Sequence, residues 1–86
     1  MASYELVFRK SVTKDLRVIP KTDINKILQR IRALANDPRP PGCEKLSAQE
    51  RYRIRQGRYR IVYEIEDHRL VVLVVKVAHR KDVYRQ

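Results

Sequence analysis

The residues with the clearest chemical potential are arginines. Residues 51–60 hold five of them and no acid. The run Arg51-Tyr52-Arg53-Ile54-Arg55 alternates strictly, as a strand with one apolar and one charged face does. A turn at Gly57-Arg58 folds the next stretch back so that Arg55 faces Arg60, Ile54 faces Ile61 and Tyr52 faces Tyr63. Arg53, Arg55 and Arg60 then share one face. Like charges side by side on a sheet cost stability, ~0.2–1 kcal/mol being the scale of such pairs. Selection for stability alone does not choose this arrangement. Guanidinium groups donate bidentate hydrogen bonds, so grouped arginines make a phosphate clamp. The competing reading is a solvated charged face, and charge alone leaves both open. The tail adds Arg80, Lys81 and Arg85 against Asp82 alone.

Other reactive side chains are few. His79 admits a structural and a catalytic reading equally. His68 sits in a turn beside Asp67 and reads as solvated. Cys43 is the only cysteine; it has no base nearby in sequence and reads as no nucleophile. A lone cysteine also excludes an intrachain disulfide and a Cys-based zinc site. Two histidines this far apart do not suggest a metal site. Tyr52, Tyr59 and Tyr63 lie at strand spacing and read as sheet packing ahead of base stacking. Glu64 and Glu66 share a strand face and read as partners of nearby arginines rather than as a paired-carboxylate hydrolase site.

The elements that must position these residues follow from hydrophobic period. Residues 4–8 alternate weakly and read as a first strand. Ser11 is placed to cap a short helix bearing Val12, Leu16 and Ile19 on one face, which Pro20 ends. Thr22 is placed to cap a second helix, with Asp23 favourable in its first turn. Ile24, Ile27, Leu28, Ile31, Leu34 and Ala35 then give the strongest helical period in the chain. Asn36-Asp37-Pro38-Arg39-Pro40-Pro41-Gly42 stops that helix in a stiff loop. The two-residue Gly57-Arg58 loop fits a type II′ turn with glycine first. A turn at Asp67-His68-Arg69 leads into residues 70–78, apolar on both faces and so read as a central strand. The expected order is β-α-α-β-β-β, an α+β domain: an antiparallel-rich sheet with an N-terminal helical hairpin on one face.

Size and charge bound the function. The chain has 86 residues, enough for a single domain spanning 1–86, and too few for a multidomain enzyme or an elaborate cofactor cradle. Twenty Lys and Arg against ten Asp and Glu give a net charge of +10. Such an excess points to a polyanionic partner: nucleic acid, an acidic protein or an anionic membrane. The N-terminus lacks the pattern of a signal peptide. The longest apolar run, residues 70–75, is far below the ~20 residues of a membrane span. The expectation is a cytoplasmic protein with no membrane partner, no metal and no cofactor.

The segment Tyr52-Arg53-Ile54-Arg55-Gln56-Gly57-Arg58-Tyr59-Arg60-Ile61-Val62-Tyr63-Glu64-Ile65 resembles the core hairpin of RelE-type toxins. The ending Val77-Ala78-His79-Arg80-Lys81-Asp82-Val83-Tyr84-Arg85 is similar to that family's C-terminal motif. The Asp37-Pro38-Arg39-Pro40-Pro41-Gly42 loop followed by Lys45-Leu46 fits as well. Together these motifs cover nearly the whole chain in the right order and are specific to the RelE/ParE superfamily.

The resemblance implies a RelE-like fold and the toxin of a type II toxin–antitoxin pair. Its RelE branch cuts mRNA in the 30S A site of the ribosome and so inhibits translation. The reaction is a transesterification in which the ribose 2′-OH attacks the adjacent phosphate and the 5′-oxygen leaves. The resemblance places Arg53 and Arg55 on basic strand residues that hold phosphates and activate the nucleophile. It places Arg60 on the arginine at the scissile phosphate, and Arg80 on the arginine that stabilises the leaving group. Tyr84 falls on the C-terminal tyrosine that orients RNA. The partners implied are an antitoxin, expected to be acidic, the ribosome and mRNA.

One departure bears on mechanism. The family's best-known member has lysines where this chain has Arg53 and Arg55. An arginine holds its proton too tightly to serve easily as a base. Proton acceptance therefore moves to Tyr84 or His79. A tyrosine starts near ~10 and needs neighbouring cations to lower it; a histidine starts near ~6.5. Both stay candidates.

Two other function classes fit the same fold. A ParE-type toxin inhibits DNA gyrase by binding, without catalysis; the set Arg53, Arg55, Arg60, Arg80 and Tyr84 favours the nuclease, because gyrase-directed members generally lack it. A plain RNA-binding module is the third class, and the chain lacks the run of exposed stacking aromatics that single-strand binding uses.

Overall fold

Apolar residues at helical spacing in the first half and at alternating spacing in the second fold onto one another as two layers. The computed structural model describes residues 3–46 and 51–79. Strand β1 (Glu5–Phe8) leads into helix α1 (Lys10–Arg17) and helix α2 (Lys21–Ala33). Then come β2 (Glu44–Lys45), β3 (Arg51–Gln56), β4 (Tyr59–Glu66), a 3₁₀ turn (Asp67–Arg69) and β5 (Val71–His79). The five strands form one sheet in the order β1-β5-β4-β3-β2. β1 runs parallel to β5, and the other three pairings are antiparallel. The α+β class and the helix-on-sheet layering expected from the sequence are both present.

The helix starts differ from expectation. Neither Ser11 nor Thr22 is a cap: α1 starts after Arg9 and α2 after Pro20, both without a side-chain cap. Arg9, one residue past β1, still donates its N–H to the Val74 carbonyl of β5 at 3.0 Å, so the helix begins at the next residue. Pro20 has extended backbone (φ −56°, ψ 144°), and its carbonyl accepts from Asp23 and Ile24. A proline needs no N–H partner there. The residue before a proline avoids helical backbone, which accounts for α1 stopping at Arg17.

Ile27 and Ile31 on α2, Leu34 just after it and Val12 on α1 are fully buried against Tyr52, Ile54, Ile61, Tyr63 and the β5 residues Val72, Val74 and Val77. Full burial of each such aliphatic side chain is worth ~1.5–3 kcal/mol. The β3–β4 register matches the expected one pair by pair, from Gln56 opposite Tyr59 back to Arg51 opposite Glu64. Gly57 has φ +60° and Arg58 does not have positive φ, as a type II′ turn requires. Glu64 pairs with Arg51, and Glu66 with Arg69, so both carboxylates do balance arginines.

Two features were not expected. The first is β2, a two-residue edge strand that pairs Glu44 with Arg53 and Lys45 with Tyr52. A stiff loop delivers it. Arg39 in that loop donates from Nη1 and Nη2 to the two Asp67 carboxylate oxygens at 3.1 and 2.9 Å, and from Nε to the Tyr52 hydroxyl at 3.2 Å. Its guanidinium lies 5.1 Å from the Tyr52 ring centre. Tyr4 also donates to Asp67, at 2.7 Å, and the buried Tyr63 hydroxyl donates to the Pro38 carbonyl at 2.7 Å. The second is a bulge. Val62 pairs with Lys76 but Tyr63 with Val74, leaving Val75 as an extra residue in β5. A one-residue slip exchanges the two faces of a strand. Val72 and Val74 therefore face the helices before the bulge, and Val77 and His79 after it.

Candidate functional site

Arg53, Arg55 and Arg60 do meet on the sheet face away from the helices. Alternation in β3 puts Arg53 and Arg55 there, since Tyr52 and Ile54 are drawn into the core. The hairpin register sets Arg60 directly across from Arg55. Their exposure differs: the Arg53 side chain is 14% exposed, the Arg55 side chain 61% and Arg60 only 4%. Val62, opposite Arg53, and Ala78, opposite Arg60, are buried on the same face. Packed beside this apolar floor, Arg53 and Arg60 are largely withdrawn from water while Arg55 stays open to it, and the lower local dielectric strengthens attraction to an anion.

The cluster contains a residue that sequence reasoning missed. Glu44 enters it from β2, and its Oε2 accepts from Arg53 Nη2 at 2.8 Å. Its Oε1 lies 3.8 Å from Arg55 Nη2. The hydrogen bond from Arg53 holds the Glu44 carboxyl below the usual carboxylate range, and the charges of Arg55 and Arg60 add to the effect. The signal was present in the sequence as an acid just upstream of an acid-free arginine strand. What hid it was the pairing of a strand only two residues long, which no periodicity reveals.

His79 is not brought to this cluster. It pairs with Tyr59, two residues from the core residue Ile61, and so lies on the helix face. Its ring meets Tyr59 edge-on with centroids 5.8 Å apart. Both line a shallow hollow with Asp15, Val18 and Ile19, where Asp15 Oδ2 accepts from the Val77 N–H at 3.1 Å. Without the bulge at Val75, alternation from Val74 would have put His79 on the arginine face. Arg80 and Tyr84 lie outside the described residues. Tyr52 and Tyr63 stack with centroids 5.9 Å apart, inside the core. Cys43 is partly buried beside the core, and His68 is exposed in the 3₁₀ turn. Among the described residues no group of three His, Cys, Asp or Glu side chains is arranged to hold a metal ion. No helix among them is long and apolar enough to cross a membrane.

The fold that carries this face is similar to that of known proteins. Residues 6–84 match the family described as the ParE toxin of the type II toxin–antitoxin system parDE. Toxin RelG of Mycobacterium tuberculosis is 26% identical over 85 residues, covering 96% of this chain and 98% of its own. The archaeal RelE–RelB complex from Pyrococcus horikoshii OT3 matches with a TM-score of 0.82 and 27% identity, over 91% of this chain and 96% of that one. The isolated Escherichia coli RelE toxin matches with a TM-score of 0.78 and 26% identity, over 96% and 93%. The chain belongs to the ParE toxin family, within the RelE/ParE superfamily, and is a RelE-like toxin of the type II toxin–antitoxin class.

Proposed function

We propose that this toxin is a ribosome-dependent endoribonuclease that cuts mRNA in the 30S A site. The observation that carries the reading is the grouping of Arg53, Arg55 and Arg60, from two strands, on one sheet face, where Arg53 and Arg55 address the Glu44 carboxylate. A cluster that holds a carboxylate in this way has the charge and donor geometry to hold a phosphodiester.

In the reaction the ribose 2′-OH attacks the adjacent phosphorus, and the bond to the 5′-oxygen breaks. The upstream fragment keeps a 2′,3′-cyclic phosphate and the downstream fragment a 5′-OH. Arg53 and Arg55 hold the phosphate and orient the 2′-OH. Arg60, held rigidly by burial, stabilises the charge that develops on the phosphorane oxygens. Arg80 stabilises the departing 5′-oxygen, as the family resemblance implies. Of the two candidate bases, His79 faces the helices, so the proton of the 2′-OH falls to Tyr84. The arginine cations would lower the tyrosine's affinity for its own proton.

The partner in the resting cell is an antitoxin, which we read as acidic, since the chain carries +10. The RelE–RelB complex of Pyrococcus horikoshii supports such a pairing. The whole of 1–86 acts as one toxin domain in the cytoplasm. A second reading, inhibition of DNA gyrase by binding, is kept in play by the name of the matching family. One pair of assays separates them. The nuclease reading expects mRNA cuts in a translation reaction and unimpeded gyrase supercoiling. Intact mRNA with blocked supercoiling supports the second reading instead.

A further inference from the structure

Glu44 occupies the place that the proposed function gives to a phosphate. Its two carboxylate oxygens address two different arginines, Oε2 to Arg53 at 2.8 Å and Oε1 toward Arg55 at 3.8 Å. A nonbridging pair of phosphate oxygens presents the same fork to two guanidinium groups. The carboxylate is also easily displaced. Glu44 lies on a two-residue strand at the edge of the sheet, and its side chain is 48% exposed. An ion pair whose carboxylate is open to water contributes little to stability. By contrast Arg53, which makes the shorter contact, is nearly buried, and Arg60 across the hairpin is buried, while Arg55 is as open to water as Glu44. The fixed part of the site is the Arg53 and Arg60 pair, and Glu44 and Arg55 are its movable part.

We propose that the Glu44 carboxylate is an internal stand-in for the substrate phosphate, holding Arg53 and Arg55 in place in the free toxin and yielding to an RNA phosphodiester that binds in its stead. The inference rests on the nuclease reading for the identity of the ligand, and on the contacts of Glu44 for the displacement. It assigns Glu44 two opposed effects. The carboxylate keeps two like-charged side chains preorganised, and it competes with every phosphate that enters. Free toxin therefore binds isolated phosphates weakly. A substrate with further contacts, as mRNA threaded through a ribosome has, overcomes the competitor.

The test is phosphate binding by the full-length protein, measured by calorimetry with inorganic phosphate and with a short single-stranded RNA whose 2′-OH groups are replaced by 2′-O-methyl. The variant is Glu44→Gln, which keeps shape and removes the charge. Glu5→Gln, on the opposite edge of the sheet, changes net charge equally and serves as the control. The expected result is about a three- to tenfold gain in affinity for both ligands in Glu44→Gln beyond any gain in Glu5→Gln. Equal or weaker binding by Glu44→Gln, relative to that control, overturns the proposal. A second variant, Glu44→Ala, must gain affinity as well; a gain in Glu44→Gln alone would mean that the new amide binds the ligand, and would also overturn it. The binding assay involves no cleavage. A wild-type protein that cuts no mRNA counts against the nuclease reading, while missing gains in the variants of a protein that does cut count against the displacement alone.

Discussion

Arg60 carries a full charge on a residue that is 4% exposed, so its removal has effects of opposite sign. Loss of charge relieves repulsion with Arg55, and loss of a buried side chain leaves a gap. From the sequence only the first effect is visible, and deletion to alanine reads as harmless to stability. Arg60→Lys is the cleaner variant, since it keeps charge and stem and removes the planar fork. We expect cleavage to fall about 10- to 100-fold, the scale of one or two lost charge-assisted hydrogen bonds, with the melting temperature within a few degrees of wild type. Single-turnover cleavage and a thermal melt on the same preparation check this; a parallel collapse of both would make Arg60 a structural residue. The base is tested by Tyr84→Phe and His79→Ala. The first should lose about 10²–10⁴-fold in cleavage, the usual worth of general-base catalysis. The second should cost mainly the edge-on contact with Tyr59 and leave cleavage within a few-fold. The wild-type rate should still be rising above pH ~6.5, where a histidine base levels off, and should level off only at the pKa of a tyrosine that the arginine cations lower from ~10.

The hairpin is the element that sets the site, and its turn depends on one glycine. Gly57 has φ +60°, while a Cβ there would meet nothing within 4 Å, so only backbone strain opposes substitution. Gly57→Ala should destabilise by about 1–2 kcal/mol. That lowers the melting temperature by roughly 5–15 °C in a domain of this size. A variant as stable as wild type would show that the turn is not the type assigned. This hairpin was legible in the sequence because strict alternation and a Gly-first loop admit one register. β5 was legible only as a strand. Residues 70–78 are apolar on both faces, so nothing in their pattern reveals the bulge at Val75 or the face on which His79 falls. The helix starts were misread for a different reason. Ser11 and Thr22 are good capping residues, but the preceding Arg9 and Pro20 already hold the backbone conformation from which a helix departs. β2 escaped because a two-residue strand is specified by tertiary pairing, and with it went the view of Glu44.

On the scale of the whole molecule, the clamp between Arg39 and Asp67 ties the loop that carries β2 to the turn that starts β5. Hydrogen bonds from Arg39, and then from Tyr4, hold the Asp67 carboxyl down to about 2. In the unfolded chain an aspartate titrates near ~3.9. The ionised group therefore contributes stability that is complete above about pH 4 and is lost as pH falls toward 2. Asp67→Asn should be less stable than wild type at neutral pH, and the two denaturation curves should converge between about pH 4 and 2. Melts across that range check it, and a constant gap would remove Asp67 from the account. The same chain carries +10, so its grip on any polyanion weakens steeply with salt.

The central claim, that the arginine face cuts mRNA on the ribosome, is tested most directly by the ends of the cut message. Purified toxin is added to ribosomes programmed with a defined mRNA and stalled with an empty A site, and the fragments are mapped and their termini identified. The account predicts a cut within the A-site codon, with a 2′,3′-cyclic phosphate upstream and a 5′-OH downstream, strongly reduced with Arg60→Lys and absent when ribosomes are omitted. Intact mRNA, or cuts that Arg60→Lys leaves unchanged, would contradict it.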